Sequence, residues 1–388
     1  MTLKADEALS TLRATVETTK ALVTQLHNAV KPCDKQSSVS KEGLKGDPQI
    51  DVLKLSYDAA SLIRAHVTKL SLLIINKPFT PTAICTVLRE LASGPLPALV
   101  SAVELCDAAT YTEVMKSELQ WRVGRVYAEV ALLIDEIPLH GGILTTDQKM
   151  GTGATIGKGS LASTGVVWQA CDDLMALEAL GIVGLVIKKA DQYRDTLMDA
   201  LEELQEWGQE ESDGEDGEGD DEETGNTNEE TGDSSSLAQD AIDSMFNNQR
   251  HIPQDDTNKI RKRLESSLRR LRLMIIMYQA VIKRRFRTLP ALPHPELPVE
   301  LKKKSSEDPG IIVCLDGVLK VMKTIPDIAD ELANAFYELN TTEIDKRMDE
   351  CFFAGFAAVE LLVKNWEGEK DDFSTWAYKF QLAMKKGW

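Results

Sequence analysis

The stretch GTGATIGKGS at 151–160 holds the residue types that cradle phosphates, so its spacing decides what it can do. A phosphate-binding loop needs four residues between its first Gly and the Gly–Lys pair, then Ser or Thr, with a strand before it. Here Gly153 and Gly157 are separated by three residues, Lys158 is followed by Gly159, and the preceding pattern is helical and ends near Pro138. The dinucleotide fingerprint fails on spacing and context too. The segment reads as a loop between helices. The five histidines (27, 66, 140, 251 and 294) have no partner three or four residues on, as a helical metal site would require. His66 reads as a packed or surface histidine, and no metal or cofactor is expected. Carboxylates such as Asp135 and Glu136 in LLIDEIP read as a solvated face. No Ser/His/Asp or Cys/His set has useful spacing, and the chain is expected not to be an enzyme.

Six cysteines stand at 33, 85, 106, 171, 314 and 351 without a CxxC or CxxH pair. They read as reduced, mostly buried small hydrophobes, which points to cytosol or nucleus. MTLKADEALS has no apolar leader-like core. LSLLIIN at 70–76 is far short of the ~20 residues of a membrane span, so no transmembrane segment is expected.

Charge is uneven. The net charge is −18, and thirteen acidic residues with no Lys or Arg fall in 208–236, leaving −5 for the rest. That run has no apolar side chain and reads as a disordered acidic linker. Its opposite is 259–287, KIRKRLESSLRRLRLMIIMYQAVIKRRFR, with eleven basic residues against Glu265. Ile260, Leu264, Leu268, Leu271, Ile275, Tyr278 and Ile282 repeat at three and four, which makes it a basic amphipathic helix. Lys259, Arg261, Arg263, Arg269, Arg270 and Arg272 are the candidate partner-binding residues. Four roles compete: a solvated bundle face, a protein-partner surface, a phosphate contact to nucleic acid, and a lipid or calmodulin-type contact. Direct nucleic-acid binding is not expected, because no base-reading motif accompanies the charge. The acidic run is read as a tether and as a candidate mask for this helix. KRRFR at 283–287 with KKK at 302–304 loosely resembles a bipartite nuclear import signal.

The elements that must position these residues are helices. Apolar residues recur at three and four from Leu9, Leu12, Val16, Val23, Leu26 and Val30 onward. Helices are predicted at about 3–30, 49–76, 81–108 with a break near SGPLP, 110–136, 161–178 and 180–207. After the acidic run they follow at 237–248, 256–288, 309–335, 342–366 and 371–386. Asp47–Pro48, Thr80–Pro81 and Asp308–Pro309 read as helix starts, each with a capping side chain before a proline. IIVCL at 311–315 has strand-like residues, but its continuation at Val318, Leu319 and Met322 favours helix. Phe373, Trp376, Phe380 and Met384 form a core stripe. The fold class is all-α: two antiparallel helical bundles of long helices, residues 1–207 and 237–388, joined by 208–236.

STGVVWQACDDLMAL at 163–177 and VIKKADQYRDTLMDALEELQEW at 186–207 resemble the cyclin-D-binding protein family (GCIP-like proteins), as does AIDSMFNNQRHI at 241–252. The matching residues are Gly165, Trp168, Cys171 and Asp172, and the acidic run takes the place of the family's acidic loop. The resemblance implies a two-part all-α protein, cytoplasmic and nuclear, that binds cyclin-like or helix–loop–helix proteins and regulates the cell cycle or transcription negatively. Its supposed helix–loop–helix segment falls on the basic helix. A DNA-binding version needs a separate basic arm leading into a dimer helix, so protein binding is carried over and DNA binding is not. Two other readings stand beside it: a vinculin- or α-catenin-like bundle adaptor, and a phosphate- or lipid-binding bundle using Arg261, Arg269, Arg270 and Arg272.

Overall fold

The computed structural model describes residues 2–32, 50–151, 159–209, 252–253, 255–292 and 310–386. The acidic run beyond Gln209, the helix expected at 237–248, the two Asp–Pro starts, Cys33 and KKK at 302–304 lie outside the described residues. Among the described residues the regular structure is helical, with one isolated antiparallel bridge between Lys364 and Lys370. The all-α class is borne out. The chain divides into two compact units, Met1–Val186 with Pro290–Asp316, and Ile187–Leu289 with Gly317–Trp388. This division falls inside a helix and not at the acidic run. Composition marks where a chain cannot pack, but it leaves no trace where one helix serves two cores in turn.

The first unit holds α1 (Thr2–Val30), α2 (Val52–Ile75), α3 (Pro81–Ser93), α4 (Pro95–Leu105), α5 (Ala108–Tyr111), α6 (Glu113–Asp135), α7 (Thr146–Met150) and the first part of α8 (Ser160–Trp207). Helix α1 packs on α3, α4 and α6, and α2 packs on α3 and α4. The periodic positions are the buried ones: Leu12, Val23, Ile63, Ile74, Leu88 and Leu99 have no exposed surface. Each such side chain contributes about 1.5–3 kcal/mol of burial.

Helix starts depart in detail from the proline signals. Helix α2 begins at Val52, where the Asp51 carboxylate accepts from Leu53 N at 2.9 Å and Lys54 N at 3.3 Å. At Thr80 the proline reading holds, since Pro81 opens α3, but the Thr80 hydroxyl donates to Pro78 O at 3.2 Å and caps nothing. The predicted break is at Gly94, with Pro95 starting α4. Pro81–Leu105 is long and apolar enough to cross a membrane by length and composition. It is interrupted at Gly94, and Ile84, Leu88, Leu91, Leu96 and Leu99 are completely buried within the unit. The helices predicted at 161–178 and 180–207 form one element whose only non-helical residue is Gly181, at φ 59° and ψ −172°. Glycine reaches that conformation because it has no Cβ.

The second unit holds the remainder of α8, then α9 (Ile260–Arg284), a short 3₁₀ turn (Phe286–Thr288), most of α10 (Ile311–Tyr337), α11 (Thr341–Glu360) and α12 (Asp372–Lys385). The strand-like IIVCL is helical, as its continuation predicted. Helix α9 packs on α11 and α12. Its predicted stripe is buried at Ile260, Leu264, Leu268, Leu271, Tyr278 and Ile282 and half-buried at Ile275. The Tyr278 hydroxyl donates to Met322 O at 2.5 Å, which satisfies it in the core. On α12, Phe373, Phe380 and Met384 are buried, and Trp376 stacks between the two phenylalanines at 5.2 and 5.4 Å.

Arg285 closes this unit. Only 1% of its surface is exposed. Its guanidinium makes two bonds to the Asp371 carboxylate, at 2.7 and 2.9 Å, and donates to Leu362 O at 2.8 Å. It also lies 4.2 Å over the Phe373 ring. Asp371 in turn caps α12 through Phe373 N and Ser374 N, at 3.0 and 3.1 Å. Cys85, Cys106, Cys171 and Cys351 are free and buried and Cys314 is half-buried, as predicted for small hydrophobes.

The Arg285 bonds, and next the two capping amides, hold the Asp371 carboxyl down at about 2. A depressed carboxyl stabilises the fold fully above its unfolded value, about 4, and loses that contribution as pH falls through the folded value. Asp371→Asn is expected to cost about 3–5 kcal/mol by leaving a buried guanidinium uncompensated. It is also expected to flatten the acid limb of stability between about pH 4 and pH 2. Urea unfolding across that range checks both, and a variant as stable and as acid-sensitive as the parent refutes the assignment.

Candidate functional site

Of the matching residues, Gly165, Trp168 and Asp172 lie on the outer face of the first unit. On α8 the positions 161, 165, 168 and 172 follow the helical repeat and share a side. This side meets α2 at 64 and 68, and Thr164 beside it meets Ser71. The pairings run in opposite directions along the two helices: Thr164 Oγ1 to Ser71 Oγ at 3.0 Å, Trp168 Nε1 to Thr68 Oγ1 at 3.1 Å, and Arg64 Nε to Asp172 Oδ1 at 3.0 Å. The Arg64 guanidinium also lies 5.6 Å from the Trp168 ring centre. Cys171 points away from this face and is fully buried, its thiol pushed up to about 12 by burial.

The face is apolar with a polar end. Leu72 is 52% exposed, Leu161 43% and Trp168 36%. Between the last two, Gly165 leaves open space where a Cβ would stand. Arg64 and Asp172 form the polar end, both about half exposed. Inside the unit, Asp173 ties α8 to α6. Its carboxylate accepts from Arg125 Nη1 at 2.6 Å and from Gln169 Nε2 at 2.8 Å, and its carbonyl accepts from Arg122 Nη1. Arg122 is buried and is balanced by Glu118, at 2.7 and 2.9 Å.

The six basic candidates on and before α9 divide sharply. Lys259 and Arg261 are exposed. Arg263 makes two bonds to the Asp345 carboxylate at 2.9 and 3.0 Å. Arg269 donates to Ala383 O at 3.3 Å and to Lys386 O. Arg270 is buried and its Nε reaches Met384 O at 3.4 Å. Arg269 and Arg270 thus cover carbonyls at the C-terminus of α12, where cations are favoured. Arg272 donates to Gln205 Oε1 on α8 at 2.7 Å. Four of the six are therefore engaged within the second unit. In KRRFR the central Arg285 is buried and paired, so that cluster does not present all its charges to solvent.

The other motifs yield little chemistry. Most of the glycine-rich loop, 152–158, lies outside the described residues, and the element before it is the short helix α7. His66 stands 3.3 Å from Glu90 Oε2 without a hydrogen bond, and burial lowers its pKa more than Glu90 raises it. Among the described residues no three His, Cys, Asp or Glu side chains are grouped to hold a metal.

Residues 57–210 match the family model described as Grap2 and cyclin-D-interacting, N-terminal. The match supports a GCIP-like family for this chain, and it covers α2 from Tyr57 onward and all of α8. The chain is also similar to an uncharacterised protein of Schizosaccharomyces pombe (strain 972), 28% identical over 156 residues. That alignment covers 40% of this chain and 44% of the yeast protein, so less than half of either is compared.

Sequence reading found Gly165, Trp168 and Asp172 but missed their α2 partners. The spacing of Arg64, Thr68 and Leu72 was the available signal, since four-residue steps stack side chains on one face. The Arg64–Asp172 pair is half-solvated and is worth at most about 1 kcal/mol, whereas Arg122 is buried. Arg64→Gln with Asp172→Asn is therefore expected to leave thermal unfolding within about 1 kcal/mol of the parent. Arg122→Met, which removes the buried bonds to Glu118 and to the Asp173 carbonyl, is expected to cost about 3 kcal/mol or more. Equal losses in the two variants would mean that the outer pair is structural.

Proposed function

We propose that this protein is a non-enzymatic interaction regulator of the GCIP-like kind, and that the α2/α8 face of its first unit receives an apolar helix of a partner protein. The single observation that carries this reading is the exposed apolar surface of Leu72, Leu161 and the motif residue Trp168, on two helices joined by the Arg64–Asp172 pair. A partly exposed tryptophan beside an open glycine and two leucines has the composition of an interface hot spot. An amphipathic helix would lay its i, i+3, i+4 anchors along this surface and set a polar residue against the Arg64–Asp172 end. By resemblance the partners are cyclin-like or helix–loop–helix proteins, the outcome is negative regulation of the cell cycle or transcription, and the setting is cytoplasm and nucleus. The alternative bundle-adaptor reading has no observation in its favour beyond long helices.

Binding of a purified D-type cyclin and of a helix–loop–helix protein to the full chain, followed by calorimetry at low and high salt, tests the reading. Leu161→Ser with Trp168→Ala is expected to weaken binding about tenfold or more, while binding by the parent falls little with salt. Binding that survives this double variant and disappears at high salt would overturn the apolar-face reading in favour of charge.

A further inference from the structure

Helices α9 and α11 enclose a cavity of about 390 Å³ lined by Lys259, Lys262, Ser266, Ser267, Arg270 and Asp349, among others. Arg270 is 3% exposed, and its Nη2 is buried without a hydrogen-bond partner. A buried guanidinium with an unfilled donor is unusual, because the donor has lost water and gained nothing in return. The charges around it do not cancel. Arg263 and Asp345, also on the rim, neutralise each other through two bonds at 2.9 and 3.0 Å. That leaves Lys259, Lys262 and Arg270 against Asp349, a net of two positive charges. The two lysines are exposed and the arginine is buried, so the positive charge runs from the mouth to the depth of the cavity.

We propose that this cavity binds a phosphate monoester. A doubly charged phosphate matches the two uncompensated positive charges. Its oxygens are acceptors for the arginine donor that lacks a partner, for the two ammonium groups, and for the Ser266 and Ser267 hydroxyls that line the space. Asp349 opposes the anion and sets its selectivity: a ligand must carry enough charge to outweigh one carboxylate. The site differs from a general basic face on α9, because Arg269 and Arg272 are occupied by Ala383, Lys386 and Gln205 and take no part in it. It belongs to the second unit and shares no residue with the α2/α8 face, so either reading can fail without the other.

The test is isothermal calorimetry of the full chain with inorganic phosphate, O-phosphoserine and glycerol 3-phosphate, with sulfate as a comparison anion. The parent is expected to bind phosphate saturably in the millimolar range or tighter, and the better organic ester identifies an amino-acid or a polyol source. Lys259→Gln with Lys262→Gln, two exposed positions whose change leaves the fold intact, is expected to weaken binding about tenfold and reduce its salt dependence. Arg270→Met is expected to abolish binding. Asp349→Asn is expected to tighten it several-fold, the opposite direction from any loss of structure. No binding by the parent, or affinities unmoved by the lysine pair and by Asp349→Asn, overturns the proposal and leaves the cavity to water.

Discussion

The second unit depends on one constraint: the guanidinium of Arg285, buried between helices, must have its donors and its charge satisfied at once. Arg285 meets it with Asp371, the carbonyls of Leu362 and Val363, and the face of Phe373. These partners come from the end of α11, the connection after it, and the start of α12. Burying the arginine therefore fixes where one helix stops and the next begins. The same logic recurs at Arg122 in the first unit, with Glu118 and the Asp173 carbonyl. Each case trades a large desolvation cost for geometry that a leucine could not specify, because apolar contact has no direction.

The basic helix gains a different meaning in this light. Read as a sequence, eleven cations on 29 residues look like a surface for a partner. In the structure they are sorted. Arg269 and Arg270 cover the last carbonyls of α12, Arg272 and Arg263 tie neighbouring helices, Arg285 is core, and the charge left over sits at the two ends, Lys259, Arg261 and Lys262 at the start of α9 and Lys283, Arg284 and Arg287 at and after its end. A charge-rich amphipathic segment can thus commit nearly half of its cations to holding its own fold together.

How far the sequence disclosed this follows from what kind of signal each feature leaves. Helix positions were legible because burial repeats every three to four residues: the stripes at Leu12 to Val30, Ile260 to Ile282 and Phe373 to Met384 are largely the buried ones. The break at Gly94 was legible because glycine and proline act locally. The caps were less so, since Asp51 and not Asp47 starts α2, and Thr80 turns back to Pro78. The pairing of α2 with α8 was not legible, because residues 64 and 172 meet only through tertiary packing. For the same reason no spacing rule separates buried, paired Arg285 from its exposed neighbours Arg284 and Arg287.

The buried cysteines have a consequence for oxidative chemistry. Burial pushes the thiols of Cys106, Cys171 and Cys351 up to about 12, so at neutral pH they keep their protons and offer no thiolate to a peroxide or a disulfide. An oxidant reaching the described residues meets sulfur first as thioether. Met150, 60% exposed at the end of α7, stands in its way well before any of these cysteines does. Damage there is a sulfoxide, which reductases reverse and which touches no core. Among the described residues, oxidation is thus expected at this surface thioether before it reaches these three thiols.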